Sequence, residues 1–349
     1  MPRVGMNPAR HRRSTYRPAR VTVAVLVYLP HLSGYFERRL EVVKLSLESL
    51  LLNTDPPYDL MVFDNGSCEE TLAYLRQLQA AGQVDYLLTS RENLGKLGAL
   101  RVITGAAPGE VIAYADDDTF FYPGWLPAHL KLLDSFPNVG MVSGSPERTL
   151  FDHGIASALR LAEGDPEVTL ARGRWIPEVW EQEWAVALGY DPVAYLERVQ
   201  PLEELILERR GERAYATACH NQFLSPKEIL ARVLEGAWPD RLMGGLNELD
   251  NAIDAAGHLR LTTLDRTTKL IGNVIGPDLA GEAARLGIRG ESGEPKVLRR
   301  RRRGIAERLA LWGPVHWFLQ GLYNRLFALL AGQMGGWQGA AHDDGRDDG

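Results

Sequence analysis

The run Val111-Ile112-Ala113-Tyr114-Ala115 ends on three consecutive aspartates, Asp116, Asp117 and Asp118. A short run rich in β-branched and aromatic residues reads as a buried strand, and a strand buried on both faces needs helices on either side of its sheet. The acids then stand at the strand's carboxyl end, the edge where open α/β sheets bind their ligands. Carboxylates this close raise one another's pKa unless a cation sits among them. Hard oxygen donors suit a divalent metal whose other positions are filled by phosphate and water. Alone, an Asp-x-Asp is a common solvated turn, so the residues upstream must carry the argument.

Upstream, Val21 to Leu29 (VTVAVLVYL) and Tyr58 to Phe63 (YDLMVF) are two more apolar runs, the second ending in Asp64-Asn65-Gly66-Ser67. Between them Val43, Leu47, Leu50 and Leu51 recur at helical spacing within residues 40–52. Thr71 to Leu78 predicts a helix with Leu72, Leu75 and Leu78 on one face, and Val84 to Leu88 a short strand. The turn Asn93-Leu94-Gly95-Lys96 then opens a helix through Leu100 and Ile103. Strands and helices alternating at this pitch predict a doubly wound sheet. At its edge, Asp64 is suited to accept a hydrogen bond from a nucleobase, while Asn65 and Ser67 satisfy the local backbone. Gly95 permits close backbone approach, and Lys96 can reach a phosphate.

Pro30, the block Phe63-Asp64-Asn65-Gly66-Ser67, the turn Asn93-Leu94-Gly95-Lys96 with Ala99, Asp116-Asp117-Asp118 and Pro123-Gly124-Trp125-Leu126 stand in that order. Together they resemble the landmarks of family 2 glycosyltransferases with the GT-A fold, well over residues 21–145 and more loosely over 215–275. The resemblance implies an α/β fold with a doubly wound, mixed, mostly parallel sheet. Residues 21–145 would form its nucleotide-sugar-binding half and 146–275 its acceptor-binding half. It also implies a donor site of Pro30, Asp64, Asn65, Asn93, Gly95, Lys96, Asp116 and Asp117, with Asp116 on the ribose and Asp117 facing away or bonding the loop. Asp118 and Asp116 would hold Mn²⁺ or Mg²⁺ against the diphosphate, neutralising charge on the leaving nucleotide.

The second half must supply the acceptor side. Gly244-Gly245-Leu246-Asn247-Glu248-Leu249-Asp250-Asn251 opens a helix that runs through Ile253 to Gly257, and resembles the acidic motif at the start of the family's acceptor-side helix. An inverting transfer needs a carboxylate opposite the leaving diphosphate to take the acceptor hydroxyl's proton. Asp250 and Glu248 are the candidates, with Asp250 preferred; the other would be a helix N-terminal acid favoured by the macrodipole. Many GT-A enzymes carry a late histidine that completes the metal shell, and Thr267-Thr268-Lys269-Leu270-Ile271-Gly272-Asn273 contains none. Lys269 is the alternative charge for the diphosphate. His220, in Cys219-His220-Asn221-Gln222, is expected near the donor sugar or as a hydrogen-bonded core histidine. Trp175, Trp180 and Trp184 can stack on sugars, though Trp180 and Trp184 are spaced as packing residues on one helix.

With 349 residues, 45% of them hydrophobic, the chain has material for a large core. Two cysteines, Cys68 and Cys219, make no disulfide framework and fit a reducing compartment. The net charge of −6 hides a division, because residues 1–20 hold six Arg and no acid while Lys296 and Arg299 to Arg303 form a second basic run. The body between them is acidic, which disfavours nucleic acid as a partner. Residues 1–20 are expected to be a disordered basic arm, and Val21 to Leu29 the first strand rather than a secretion signal. Residues 276–349 are expected to hold a Gly- and charge-rich linker over 276–295, the arginine run, an amphipathic helix over 314–331 and an acidic tail. Such a helix beside five arginines suits an anionic bilayer interface; packing on the body or on a second copy is its other use.

These readings converge on an inverting glycosyltransferase. Its expected donor is a nucleotide-diphosphate sugar and its expected acceptor a saccharide or lipid-linked molecule, in polysaccharide or glycolipid assembly. It is expected in the cytoplasm, peripheral on the cytoplasmic membrane. A sugar nucleotidyltransferase or nucleotide-sugar hydrolase is a second class, since these also join a parallel sheet to a metal-bound diphosphate. A nucleotidyltransferase would be expected to follow its first strand with a Gly-rich basic loop, which Leu29-Pro30-His31-Leu32-Ser33-Gly34 is not. A non-catalytic membrane scaffold is a third.

Overall fold

The computed structural model describes residues 13–236, 242 and 245–288, and the fold is that of the compact unit 18–300. Of the other unit, residues 1–17 with 301–349, it describes only the exposed, irregular segment 13–17. The arm over 1–12, the basic run at 296–303, the helix expected over 314–331 and the acidic tail lie outside the described residues.

The first half winds β1 (Val21–Val27), α1 (Arg39–Asn53), β2 (Asp59–Asp64), α2 (Glu69–Ala80), β3 (Tyr86–Thr89), α3 (Gly95–Ala106) and β4 (Val111–Asp116). After the short β5 (Thr119–Phe121) come α4 (Trp125–Ser135), β6 (Val139–Ser143), α5 (Ala156–Gly164), β7 (Val168–Gly173), α6 (Glu178–Ala187) and α7 (Pro192–Val199). The chain then forms β8 (Glu204–Arg209), β9 (Glu212–Tyr215), β10 (Gln222–Pro226), α8 (Lys227–Leu234), α9 (Leu246–Ala255), β11 (Leu259–Thr262), β12 (Thr268–Leu270) and α10 (Pro277–Arg285).

Ten strands make one sheet in the order β3-β2-β1-β4-β10-β6-β11-β9-β8-β7. The four strands from β3 to β4 are parallel, as the helical crossovers between them require. Every residue of β1 and β2 is buried, which explains why both read as unbroken apolar runs rather than alternating ones. A fully buried Val or Leu contributes roughly 1.5–3 kcal/mol, so these central strands anchor the core. In the second half only β6 and β11 pair in parallel; β10 runs antiparallel between β4 and β6. The reversal at β10 sets the loop before it beside the carboxyl end of β4.

Residues 276–288 differ from the expected linker. They include α10, whose Leu279 and Ala283 pack with Val42, Leu45 and Phe120 in a small buried cluster. Composition concealed this helix because only one narrow stripe of it is apolar. Among the described residues no helix is long and apolar enough to cross a membrane.

Candidate functional site

Register aligns the ends of the parallel strands. Val27 stands opposite Asp64, Leu26 opposite Asp116, and Asp64 opposite Thr89. Asp64 and Asp116 therefore flank the end of β1, about 10 Å apart at the usual strand spacing.

Asp64 is 1% exposed and accepts the Ser67 N–H at 3.2 Å; burial pushes its pKa up against that hydrogen bond. The Asn65 amide accepts the Leu94 N–H at 2.9 Å and donates to Asn93 Oδ1 at 2.9 Å, and Asn93 Oδ1 also accepts the Gly95 N–H at 2.8 Å. Asn65, Asn93 and Gly95 thus form one network that fixes the start of α3. Gly95 takes a φ of +69°, a conformation that favours glycine. Half-buried Pro30 follows Leu29, whose N–H is accepted by Ser67 Oγ at 2.9 Å.

The α3 start directs Lys96 inward, where Nζ donates to Asp116 Oδ2 at 2.6 Å. Tyr114 OH donates to the other Asp116 oxygen at 2.6 Å. Asp117 is buried; it accepts the Tyr28 N–H at 3.1 Å and pairs with Arg39 Nη2. Arg39 Nη1 donates to Asp118 Oδ2 at 2.9 Å and to the Gly272 carbonyl at 3.0 Å. Burial raises the pKa of Asp117 and Asp118, and Arg39 opposes that rise in both. For Arg39 burial disfavours the charge, but the two carboxylates outweigh it and raise its pKa. The stretch that lacks a histidine is met instead by this guanidinium.

Three carboxylates face two cations here, leaving about one negative charge. The Asp116 and Asp118 side chains stay 22% and 18% exposed, and each carboxylate oxygen keeps a lone pair beyond the bond it accepts. The pair can therefore contribute to a divalent cation's shell, diphosphate and water supplying the rest. Among the described residues no group of three or more His, Cys, Asp or Glu side chains forms a metal cluster by itself.

The neighbouring strand adds a second constellation. Asn221 O accepts the Asp116 N–H at 2.9 Å, and the adjacent His220 places Nδ1 2.9 Å from Asp250 Oδ2. The same oxygen lies 3.0 Å from Arg260 Nη2 and 3.3 Å from His153 Nε2. Asp250 is 0% exposed, and its Oδ1 is buried without a hydrogen-bond partner. Burial opposes its ionisation, but the bonds from His153 and His220 and the Arg260 charge hold it at about 2. Glu248, two residues earlier and so turned to another face of α9, is exposed. The two acids proposed as base thus differ: Asp250 is an enclosed anion and Glu248 a surface one.

Lys269 Nζ lies 2.9 Å from Glu183 and 3.9 Å from Glu282, so its charge is already met by two acids. It lines a small surface cleft with Trp184, Cys219, Asn221 and Thr268. Trp180 packs against the core under the Arg266 guanidinium, 5.0 Å from its ring, and Trp175 is 41% exposed. Cys68 and Cys219 are both free.

Sequence reasoning missed Arg39, Tyr114, His153 and Arg260. The one available signal was Arg260, a charge within the buried strand LRLT, which demands an internal partner.

The sequence profile of glycosyl transferase family 2 matches residues 35–165. No curated protein matches the chain by sequence. Among solved structures, S. aureus TarS 1-349 is 13% identical over 72% of this chain and 59% of its own, with a TM-score of 0.42. GalNAc-T7, crystallised with UDP, GalNAc and Mn²⁺, is 13% identical over 70% of this chain and 42% of its own, with a TM-score of 0.43. The Pyrobaculum calidifontis mannosyltransferase PcManGT, in complex with GDP-Man and Mn²⁺, is 18% identical over 90% and 87%, with a TM-score of 0.42. The chain thus spans less than two thirds of the TarS and GalNAc-T7 chains. The match to glycosyl transferase family 2 thus covers residues 35–165, which carry Asp64, the Asn93–Lys96 turn and all three aspartates.

Proposed function

We propose that the chain is an inverting glycosyltransferase that moves a sugar from a nucleotide-diphosphate donor to a hydroxyl of a saccharide or lipid-linked acceptor. The observation that carries the reading is the pairing of Lys96 with Asp116 at the carboxyl end of β4, inside the segment that matches the family. A lysine beside the acids offers positive charge where a diphosphate would arrive, and the ordered 64–67 and 93–96 turns offer the polar rim a nucleoside needs. Asp64, Asn65, Asn93 and Gly95 would hold the nucleoside side, and Lys96 the phosphates. Asp116 and Asp118 would hold Mn²⁺ or Mg²⁺, which supplies Lewis-acid neutralisation of the departing diphosphate. The acceptor would enter on the Asp250 and His220 side, where a group must take its proton. Work at the cytoplasmic membrane face, in polysaccharide or glycolipid assembly, fits the arginine run followed by an apolar segment in the sequence.

The test is thermal stabilisation of the purified chain by a panel of nucleotide sugars with Mn²⁺ or Mg²⁺, beside release of nucleoside diphosphate. Stabilisation by one donor, dependent on metal and lost in Asp118→Ala, is expected. No response to any donor would favour a scaffold. Release of pyrophosphate from a nucleoside triphosphate and a sugar phosphate would favour the nucleotidyltransferase.

A further inference from the structure

We propose that His220, not a carboxylate, takes the proton of the acceptor hydroxyl, with Asp250 acting on it as a positioning residue. The inference rests on the glycosyl-transfer reading.

Geometry separates the two residues. Asp250 is 0% exposed, and its Oδ2 is already shared among Arg260 at 3.0 Å, His220 at 2.9 Å and His153 at 3.3 Å. Its Oδ1 has no partner but is enclosed, so an acceptor hydroxyl could reach neither oxygen without displacing packed groups. The His220 side chain is 18% exposed and stands in the loop whose Asn221 carbonyl is bonded to the Asp116 amide, so it borders both the carboxylate edge and the buried acid. The neighbouring residues Cys219 and Asn221 line the small cleft beside Lys269.

Chemistry assigns the ring nitrogens. A carboxylate only accepts hydrogen bonds, so the 2.9 Å contact requires a proton on Nδ1 and leaves the lone pair on Nε2. Asp250, held at about 2 by its partners, remains an anion throughout the physiological range and so enforces that tautomer. An acid this strong is a poor acceptor for a hydroxyl's proton near neutrality, whereas an imidazole is matched to the task. In the transfer step an acceptor oxygen lone pair forms the bond to the anomeric carbon. The bond from that carbon to the diphosphate oxygen breaks, and its electron pair leaves with the nucleoside diphosphate. The hydroxyl proton passes to His220 Nε2, and the resulting imidazolium is stabilised by Asp250. The charged and titratable groups that face this ring, directly or through Asp250, are Asp250 and Asp254 on α9, His153 from the loop before α5, Arg260 on β11, and the buried Glu147 and Cys219, whose pKa values burial raises.

The experiment is the pH dependence of kcat/KM for the full chain and for His220→Gln, His153→Gln, Glu248→Gln and Asp250→Asn, with donor-induced stabilisation measured on each. The wild type is expected to gain activity as pH rises between about 5 and 8, where a proton-accepting imidazole must be neutral. His220→Gln is expected to lose that limb and 10²–10⁴-fold in kcat/KM, while donor-induced stabilisation is kept. His153→Gln and Glu248→Gln are expected to keep the limb. Asp250→Asn is expected to move it to lower pH, because the imidazolium loses its counter-charge. A wild-type rate that is flat between about pH 5 and 8 would overturn the assignment without any variant, as would a limb that survives in His220→Gln or vanishes in Glu248→Gln. Absence of nucleoside diphosphate release by the wild type with every donor would instead sink the glycosyl-transfer reading, and this inference with it.

Discussion

Lys96 Nζ lies 2.6 Å from Asp116 Oδ2, joining the first turn of α3 to the last residue of β4 across 20 positions of sequence. Lys96 is 8% exposed, so this cation is held within the sheet edge rather than free to swing. Lys96→Met should cost about 1–3 kcal/mol in urea unfolding, because Asp116 keeps its charge and loses its partner. It should also weaken nucleotide-sugar binding by more than tenfold in a stabilisation titration. Loss of stability with donor affinity intact would remove Lys96 from the donor site.

Arg39 spans Asp117 and Asp118, and its removal leaves two enclosed carboxylates without a counter-charge. Arg39→Met is expected to destabilise by about 3–5 kcal/mol at pH 7. Both carboxyls already have raised pKa values in the fold, so their ionisation opposes folding and the deficit grows with pH. Denaturant midpoints taken at pH 5 and 7 should therefore show a smaller deficit at pH 5.

His129, buried in α4, donates to or accepts from Thr267 Oγ1 at 3.0 Å, and burial lowers its pKa to about 3. Folding thus favours the neutral ring, and that stability is present above the unfolded value of about 6.5 and lost as pH falls toward the folded one. Acidification from pH 6.5 to 4 should cost the wild type about 3 kcal/mol through this group alone. His129→Gln should flatten that part of the stability profile.

Gly154 has a φ of +62°, and a Cβ placed there would stand 2.1 Å from Arg260 Nη1. Gly154→Ala must therefore push the guanidinium away from Asp250 as well as strain the backbone. We expect a loss of about 2–5 kcal/mol, against about 1 kcal/mol for the backbone alone. A thermal shift no larger than the backbone figure would mean that Arg260 can move freely.

The strands and the acids at their ends were legible from the sequence because both signals are local. Val21–Val27, Asp59–Asp64 and Val111–Asp116 are buried on both faces, so each must be apolar along its whole length, and the polar residue that follows marks the edge. Asn65 and Asn93 could be placed near a ligand as turn residues, but their mutual hydrogen bond depends on two loops meeting. The helix Pro277–Arg285 stayed hidden because its apolar stripe is meaningful only against Val42 and Leu45, far away in the chain.

By itself the sequence determined the alternation of strands and helices up to Asp116, the row of carboxylates at one edge and the family that these landmarks resemble. The tertiary structure decided which charges meet. Asp250 looks on the sequence like any acid in the first turns of a helix, and becomes an enclosed anion only because Arg260, His153 and His220 arrive from three other segments. Arg39 lies 78 residues from Asp117, and chain spacing gives no sign of their contact. Periodicity reports which face of an element is buried, but the pairing of charges follows from where whole elements cross, and with it the depressed pKa of Asp250.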